Sequence, residues 1–131
     1  LAPKAEQNIR GLYLQTLVYF SNSVQNAFQL TYYPDRFSHN TDGFESAIKR
    51  GVSRLRETWK VVDDQIGENV WVLGDKFSAV DIYLFMLTTW LKQSKGHPSV
   101  QEFPNVARVA AKVASRPATT KVYGSPLSID G

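Results

Sequence analysis

The stretch WVLGDKFSAVDIYLF, Trp71 to Phe85, decides the fold, because an apolar run is broken in its middle by Gly74, Asp75, Lys76 and Ser78 and then resumes. Ser78 and Asp81 have the spacing of a capping box, in which a serine hydroxyl accepts an amide of the first helical turn and the acid accepts the serine's own amide. A helix therefore starts at Ser78. Phe77 before the cap and Ile82 after it are placed to close over that turn as a hydrophobic staple. From Ile82 to Leu91 the sequence IYLFMLTTWL is apolar nearly all round, so this helix is expected at the centre of a bundle, surrounded by others.

Two longer amphipathic segments come before it. Ile9, Tyr13, Leu17 (or Thr16), Phe20, Val24 and Phe28 mark one stripe of a helix roughly five turns long. Leu14, Val18, Asn22 and Gln25 follow the same spacing about a quarter-turn away, apolar first and polar later, which gives this helix two faces to satisfy. Pro34 disfavours helical geometry at Tyr33 and ends it. A polar loop, PDRFSHNTDG, leads to a second helix that starts near Thr41 or Asp42, with Glu45 as a weaker capping partner of Asp42, and runs to Gly67. Its stripe is Phe44, Ile48, Val52, Leu55, Trp59, Val62 and Ile66, and a short polar loop between two long helices reads as an antiparallel pair.

Beyond the central helix, Gly96 and Pro98 mark a loop, and Pro104 suits the first position of a short helix whose inner stripe is Val106, Val109, Ala110 and Val113. Ser115 and Pro117 restart the chain for a last turn or two, ending by Gly124, and the tail SPLSIDG, residues 125–131, is expected to be loosely held. No repeat, β-alternation or low-complexity run is present. With 131 residues, 43% hydrophobic and 21% charged, the expectation is one all-α domain over residues 1–124: two long antiparallel helices around a buried central one, with short C-terminal helices.

Composition narrows the function classes. The chain has no cysteine, hence no disulfide framework, thiolate metal site or cysteine nucleophile, which suits a reducing, cytoplasmic setting. No apolar stretch approaches the ~18 residues of a membrane span. The net charge is +3, and the excess of base falls after Leu91, where Lys92, Lys95, Arg108, Lys112, Arg116 and Lys121 face only Glu102 and Asp130. These bases are dispersed and no nucleic-acid-binding motif accompanies them, so the expectation is a solvated helical face and no nucleic-acid partner. His39 and His97 have no second ligand at metal spacing, and no metal is expected. Ser78 and Asp81 lack a neighbouring histidine base, and capping accounts for both. The chain opens on Leu1 rather than methionine, as a processed product or a piece of a larger protein does.

The order of two long helices, then W-x-L-G-D-x-F-S-A-x-D-I-Y-L-F, then FPNVARVAAKVASRPA resembles the helical C-terminal domain of cytosolic glutathione transferases over nearly the whole chain. The LAPK opening, YYPDRFS and FMLTTW are most similar to bacterial, beta-like members. The resemblance implies that glutathione is a co-substrate held by a separate N-terminal thioredoxin-like domain, of which this chain shows no βαβ pattern. That domain carries the catalytic tyrosine, serine or cysteine, so no catalytic residue and no bound cofactor are expected in this chain alone. The helical domain supplies the pocket for a hydrophobic electrophile and part of a homodimer interface.

Carried over by position, the resemblance implies substrate-binding roles for Val18, Asn22, Gln25 and Trp90. Two positions depart from the beta-like pattern: Val18 stands where asparagine is usual, and Gln25 where histidine is usual. Asn22 and Gln25 read equally as a solvated patch, Trp90 as an ordinary core aromatic, and Tyr83 as core. Tyr13, Tyr19, Tyr32 and Tyr33 include possible pocket rings. The alternative to an enzyme half is a non-catalytic interaction module of the same fold, as in translation elongation factor gamma subunits, or a free-standing domain that binds an apolar ligand.

Overall fold

The first amphipathic segment folds as one rod in three pieces: α1 (Arg10–Tyr19), a π-helical turn (Phe20–Val24) and α2 (Gln25–Tyr32). In this computed structural model residues 1–124 are described, so the tail expected at residues 125–131 lies outside the described residues. Tyr13, Thr16, Phe20, Val24 and Phe28 are buried along the rod, the stripe its spacing implies. Its uniform α period does not hold. The amide of Gln25 reaches back five residues to the carbonyl of Phe20, so one turn absorbs an extra residue.

The helix that follows the loop, α3 (Phe44–Ile66), buries Leu55, Trp59, Val62 and Ile66, with Phe44, Ile48 and Val52 half-covered. A 3₁₀ turn (Thr41–Gly43) opens it, and the Asp42 and Glu45 side chains make no cap there. At its other end Gly67 takes a φ of +51°, which favours glycine. The rod of α1 and α2 runs antiparallel to α3: Gln65 donates to the Thr16 hydroxyl of α1 at 3.0 Å, while Gly51 lies against Ala27, Leu30 and Thr31 of α2. A methyl on Gly51 would stand 2.7 Å from Thr31 Cγ2 and 2.8 Å from Leu30 Cβ, so the glycine sets how closely the two helices approach.

The central helix, α4 (Ala79–Thr88), begins at Ser78. The Val80 amide donates to Ser78 Oγ at 3.2 Å, and the Ser78 amide donates to Asp81 Oδ2 at 2.8 Å. Asp81 is fully buried and also accepts the Val72 amide at 2.9 Å, fastening the preceding turn to the helix it caps. Burial raises its carboxyl above the ordinary range, against the pull of those amides and of Lys112. One expectation is corrected here. Phe77 packs on Trp71, with ring centres 5.0 Å apart, and Ile82 remains 42% exposed. α4 is not enclosed all round but open on one side, where Ile82 is exposed and Tyr83 and Met86 are half-covered, while Val80, Leu84, Phe85 and Leu87 face the core.

α5 (Pro104–Ala114) buries Val106, Val109, Ala110 and Val113, and α6 (Pro117–Tyr123) closes the described chain. Phe103 and Pro104 provide no capping side chain, and Asp63 of α3 supplies it from across the core: its Oδ1 accepts the amides of Asn105 at 2.7 Å and Val106 at 2.9 Å. The late bases are not simply solvated. Arg108 donates to the carbonyls of Gly67 and Asn69, Lys112 donates to Val70 and lies over the Trp71 ring, and Arg116 stacks on Phe77. Three cations of the C-terminal helices thereby hold the turn that leads into α4.

Candidate functional site

α2 and the segment that leaves α4 line a cleft of about 420 Å³. Gln25, Phe28, Gln29 and Tyr32 form the α2 wall. Thr89, Trp90 and Lys92, just after α4, and Tyr33 complete the lining. The rings are locked to one another. Trp90 meets Phe28 edge-on at 5.6 Å, and the Tyr32 hydroxyl donates to the Trp90 carbonyl at 2.5 Å. An aromatic wall with a few polar groups is what a small apolar ligand requires.

Behind that wall lies His97, 4% exposed, edge-on to both Phe28 and Tyr32. Its Nδ1 accepts the Lys92 amide at 3.1 Å, so the proton of the neutral ring lies on Nε2, which donates to Thr31 Oγ1 at 2.9 Å. The Thr31 hydroxyl in turn donates to the Phe28 carbonyl at 2.8 Å. Burial lowers the pKa of His97, with the charge of Lys95 acting in the same direction. This histidine is a strut of the cleft wall. Among the described residues no group of His, Cys, Asp or Glu could hold a metal ion, and no helix is long and apolar enough to cross a membrane.

Gln25 sits where the cleft opens toward α4, and its Oε1 accepts the Tyr83 hydroxyl at 2.5 Å. Tyr83 also meets Phe20 edge-on at 5.5 Å, so it links the π turn to α4 instead of lying wholly in the core. Burial raises the pKa of both Tyr83 and Tyr32, which makes them hydrogen-bond donors rather than ionised groups. Of the four residues singled out in the sequence, the cleft brings together Gln25 and Trp90. Val18, 55% exposed, and Asn22, also exposed, lie outside it. Both precede the cleft along the rod: Val18 lies before the π turn, seven residues or roughly 10 Å of helix from Gln25, and Asn22 lies within the turn. Tyr32 and Tyr33 were legible as candidate rings. Phe28, Gln29, Thr89 and Lys92 carried no signal separable from core or surface.

With this geometry in hand, the family comparison is decisive: the model described as glutathione S-transferase, C-terminal domain, matches residues 22–117. The chain belongs to that family. No curated protein matches it. Among solved structures, a glutathione transferase homolog from Sulfitobacter with bound glutathione superposes with a TM-score of 0.81 at 20% identity, over 93% of this chain and 64% of that one. A beta class glutathione S-transferase from Sphingomonas chungbukensis gives 0.75 at 21% identity, over 100% of this chain and 59% of that one. A sphingomonad glutathione S-transferase complexed with glutathione gives 0.75 at 22% identity, over 92% and 56%. At these identities the likeness is one of fold. The chain spans between 56% and 64% of the length of these proteins.

Proposed function

We propose that residues 1–124 act as one unit, the electrophile-binding half of a glutathione transferase, completed by an N-terminal thioredoxin-like domain and assembled as a homodimer. The observation that carries the reading is the cleft itself: Phe28, Tyr32 and Trp90 form an aromatic wall that ends at the amide of Gln25. In the complete enzyme the thiolate of glutathione attacks the electrophilic carbon of a ligand lying on that wall. On a chlorinated aromatic the carbon–sulfur bond forms, the carbon–chlorine bond breaks, chloride leaves with the electron pair, and the thiol proton passes to solvent. The helical half contributes proximity and a fixed orientation. The amide nitrogen of Gln25 is left to donate to glutathione or to charge building on the ligand, since its oxygen is engaged by Tyr83. Leu14, Val18 and Ile82 are exposed apolar side chains on α1 and α4, suited to being covered by the companion domain.

The test is the longer protein that contains this chain. It should be retained on immobilised glutathione and conjugate a chlorinated aromatic. Trp90→Ala should lower kcat/KM for that electrophile while leaving retention intact. Conjugation by this chain alone, rigorously purified, would contradict the assignment of thiol activation to another domain. Val18, an exposed aliphatic where the beta-like pattern has asparagine, favours a second reading as a non-catalytic interaction module. A stable heterologous partner, with neither retention nor conjugation, would establish that reading instead.

A further inference from the structure

The charged side chain in the cleft lining is a cation, Lys92. Lys95 Nζ stands 5.1 Å from the centre of the Tyr32 ring, and the Arg36 guanidinium stands 4.2 Å from that of Tyr33, both rings of the cleft. No aspartate or glutamate is in the lining. Among the described residues the ion pairs are Lys49 with Glu45, Arg56 with Glu102, and Lys60 with Asp64, so Lys92, Lys95 and Arg36 are in none of them, and Asp35 is the acid beside Arg36 in the chain. Rings whose faces attract cations hold these two charges against side chains of the cleft. A concave, low-dielectric wall with cations of one sign at its edge concentrates anions.

We propose that the cleft selects planar aromatic ligands bearing an acidic group, such as a carboxylate or sulfonate, with the ring against Phe28 and Trp90 and the acid at the rim among Lys92, Lys95 and Arg36. This inference rests on the reading of the cleft as the electrophile pocket and narrows its substrate class. A neutral hydrocarbon uses only the wall. An aromatic acid uses both parts.

The experiment titrates this chain with 1-naphthoate and with 1-naphthamide, which is nearly the same shape without the charge, and follows the indole N–H signals of Trp59, Trp71 and Trp90 by NMR. Both ligands should move Trp90 and leave Trp71 in place. The carboxylate should bind roughly five- to tenfold more tightly at low salt, the sum of a few partly exposed charge contacts, with the gap closing in about 0.5 M salt. In the variant carrying R36Q, K92Q and K95Q the ratio should fall toward one. Equal affinities at Trp90, or a ratio that neither salt nor the triple variant changes, would overturn the acid preference and leave the cleft reading standing. If neither ligand moves Trp90, the cleft reading fails and takes the preference with it.

Discussion

The carboxylate of Asp63 caps Val106: near the end of α3 its Oδ1 accepts this amide of the first turn of α5, 2.9 Å away, together with that of Asn105 at 2.7 Å. A helix whose own cap positions are Phe103 and Pro104 thus begins correctly only when α3 is already packed beside it. Asp63→Ala leaves two buried donors unmet and should cost about 2 kcal/mol, while Asp63→Asn, which keeps an acceptor, should cost roughly half as much. Urea midpoints of the two variants, compared with the parent, measure the difference. Equal and negligible losses would remove Asp63 from the account of α5.

The two halves of the α4 cap are unequal. Ser78→Ala should cost about 1 kcal/mol, the ordinary value of a lost cap. Asp81→Ala should cost more, about 2 to 3 kcal/mol, because the carboxylate is fully buried and serves both Ser78 and the distant Val72 amide. Thermal melts rank the pair, and a Ser78 variant weaker than the Asp81 variant would reverse the assignment.

At Gly51 two effects oppose each other. Alanine gains about 1 kcal/mol of helix propensity. The added methyl, 2.7 Å from Thr31 Cγ2 and 2.8 Å from Leu30 Cβ, forces α2 and α3 apart, which costs typically 1 to 3 kcal/mol. The clash should win, giving a net loss near 1 kcal/mol in equilibrium unfolding. A stabilised Gly51→Ala protein would show that the helices separate freely.

Acid should weaken the fold through His97. Burial holds its folded pKa below the usual 6.5, so the unfolded chain binds the proton first as the pH falls. The contribution of this group is complete above about 6.5 and is lost as the pH drops through the folded value. The melting temperature of the parent should therefore fall between about pH 7 and pH 5 more steeply than that of His97→Gln. Parallel slopes would place the pH dependence elsewhere.

Much of this was legible in the sequence because it is local. The Ser78 and Asp81 spacing, the α3 stripe from Leu55 to Ile66, Pro104 at the head of α5 and the row Val106, Val109, Ala110, Val113 each follow from side chains within a few residues of one another. What escaped is non-local or lies in the backbone. Nothing in FSNSV distinguishes a five-residue π turn from an α turn, and that turn separates Val18 from the cleft-lining Gln25. Asp63, near the end of α3, lies outside the apolar stripe that the spacing marks and proves to be the cap of a helix about forty residues on. His97, in what reads as a polar loop, is sealed behind two rings supplied by a helix far upstream.

Thr31 faces two ways: its methyl limits the approach of Gly51, and its hydroxyl relays the hydrogen bond from His97 to Phe28. Valine at this position preserves the first role and abolishes the second, and serine does the reverse. Evolutionary drift at a site so shared is epistatic: a change there becomes tolerable only after compensation in α3 or in the histidine loop, so these three segments should vary together among descendants of this chain.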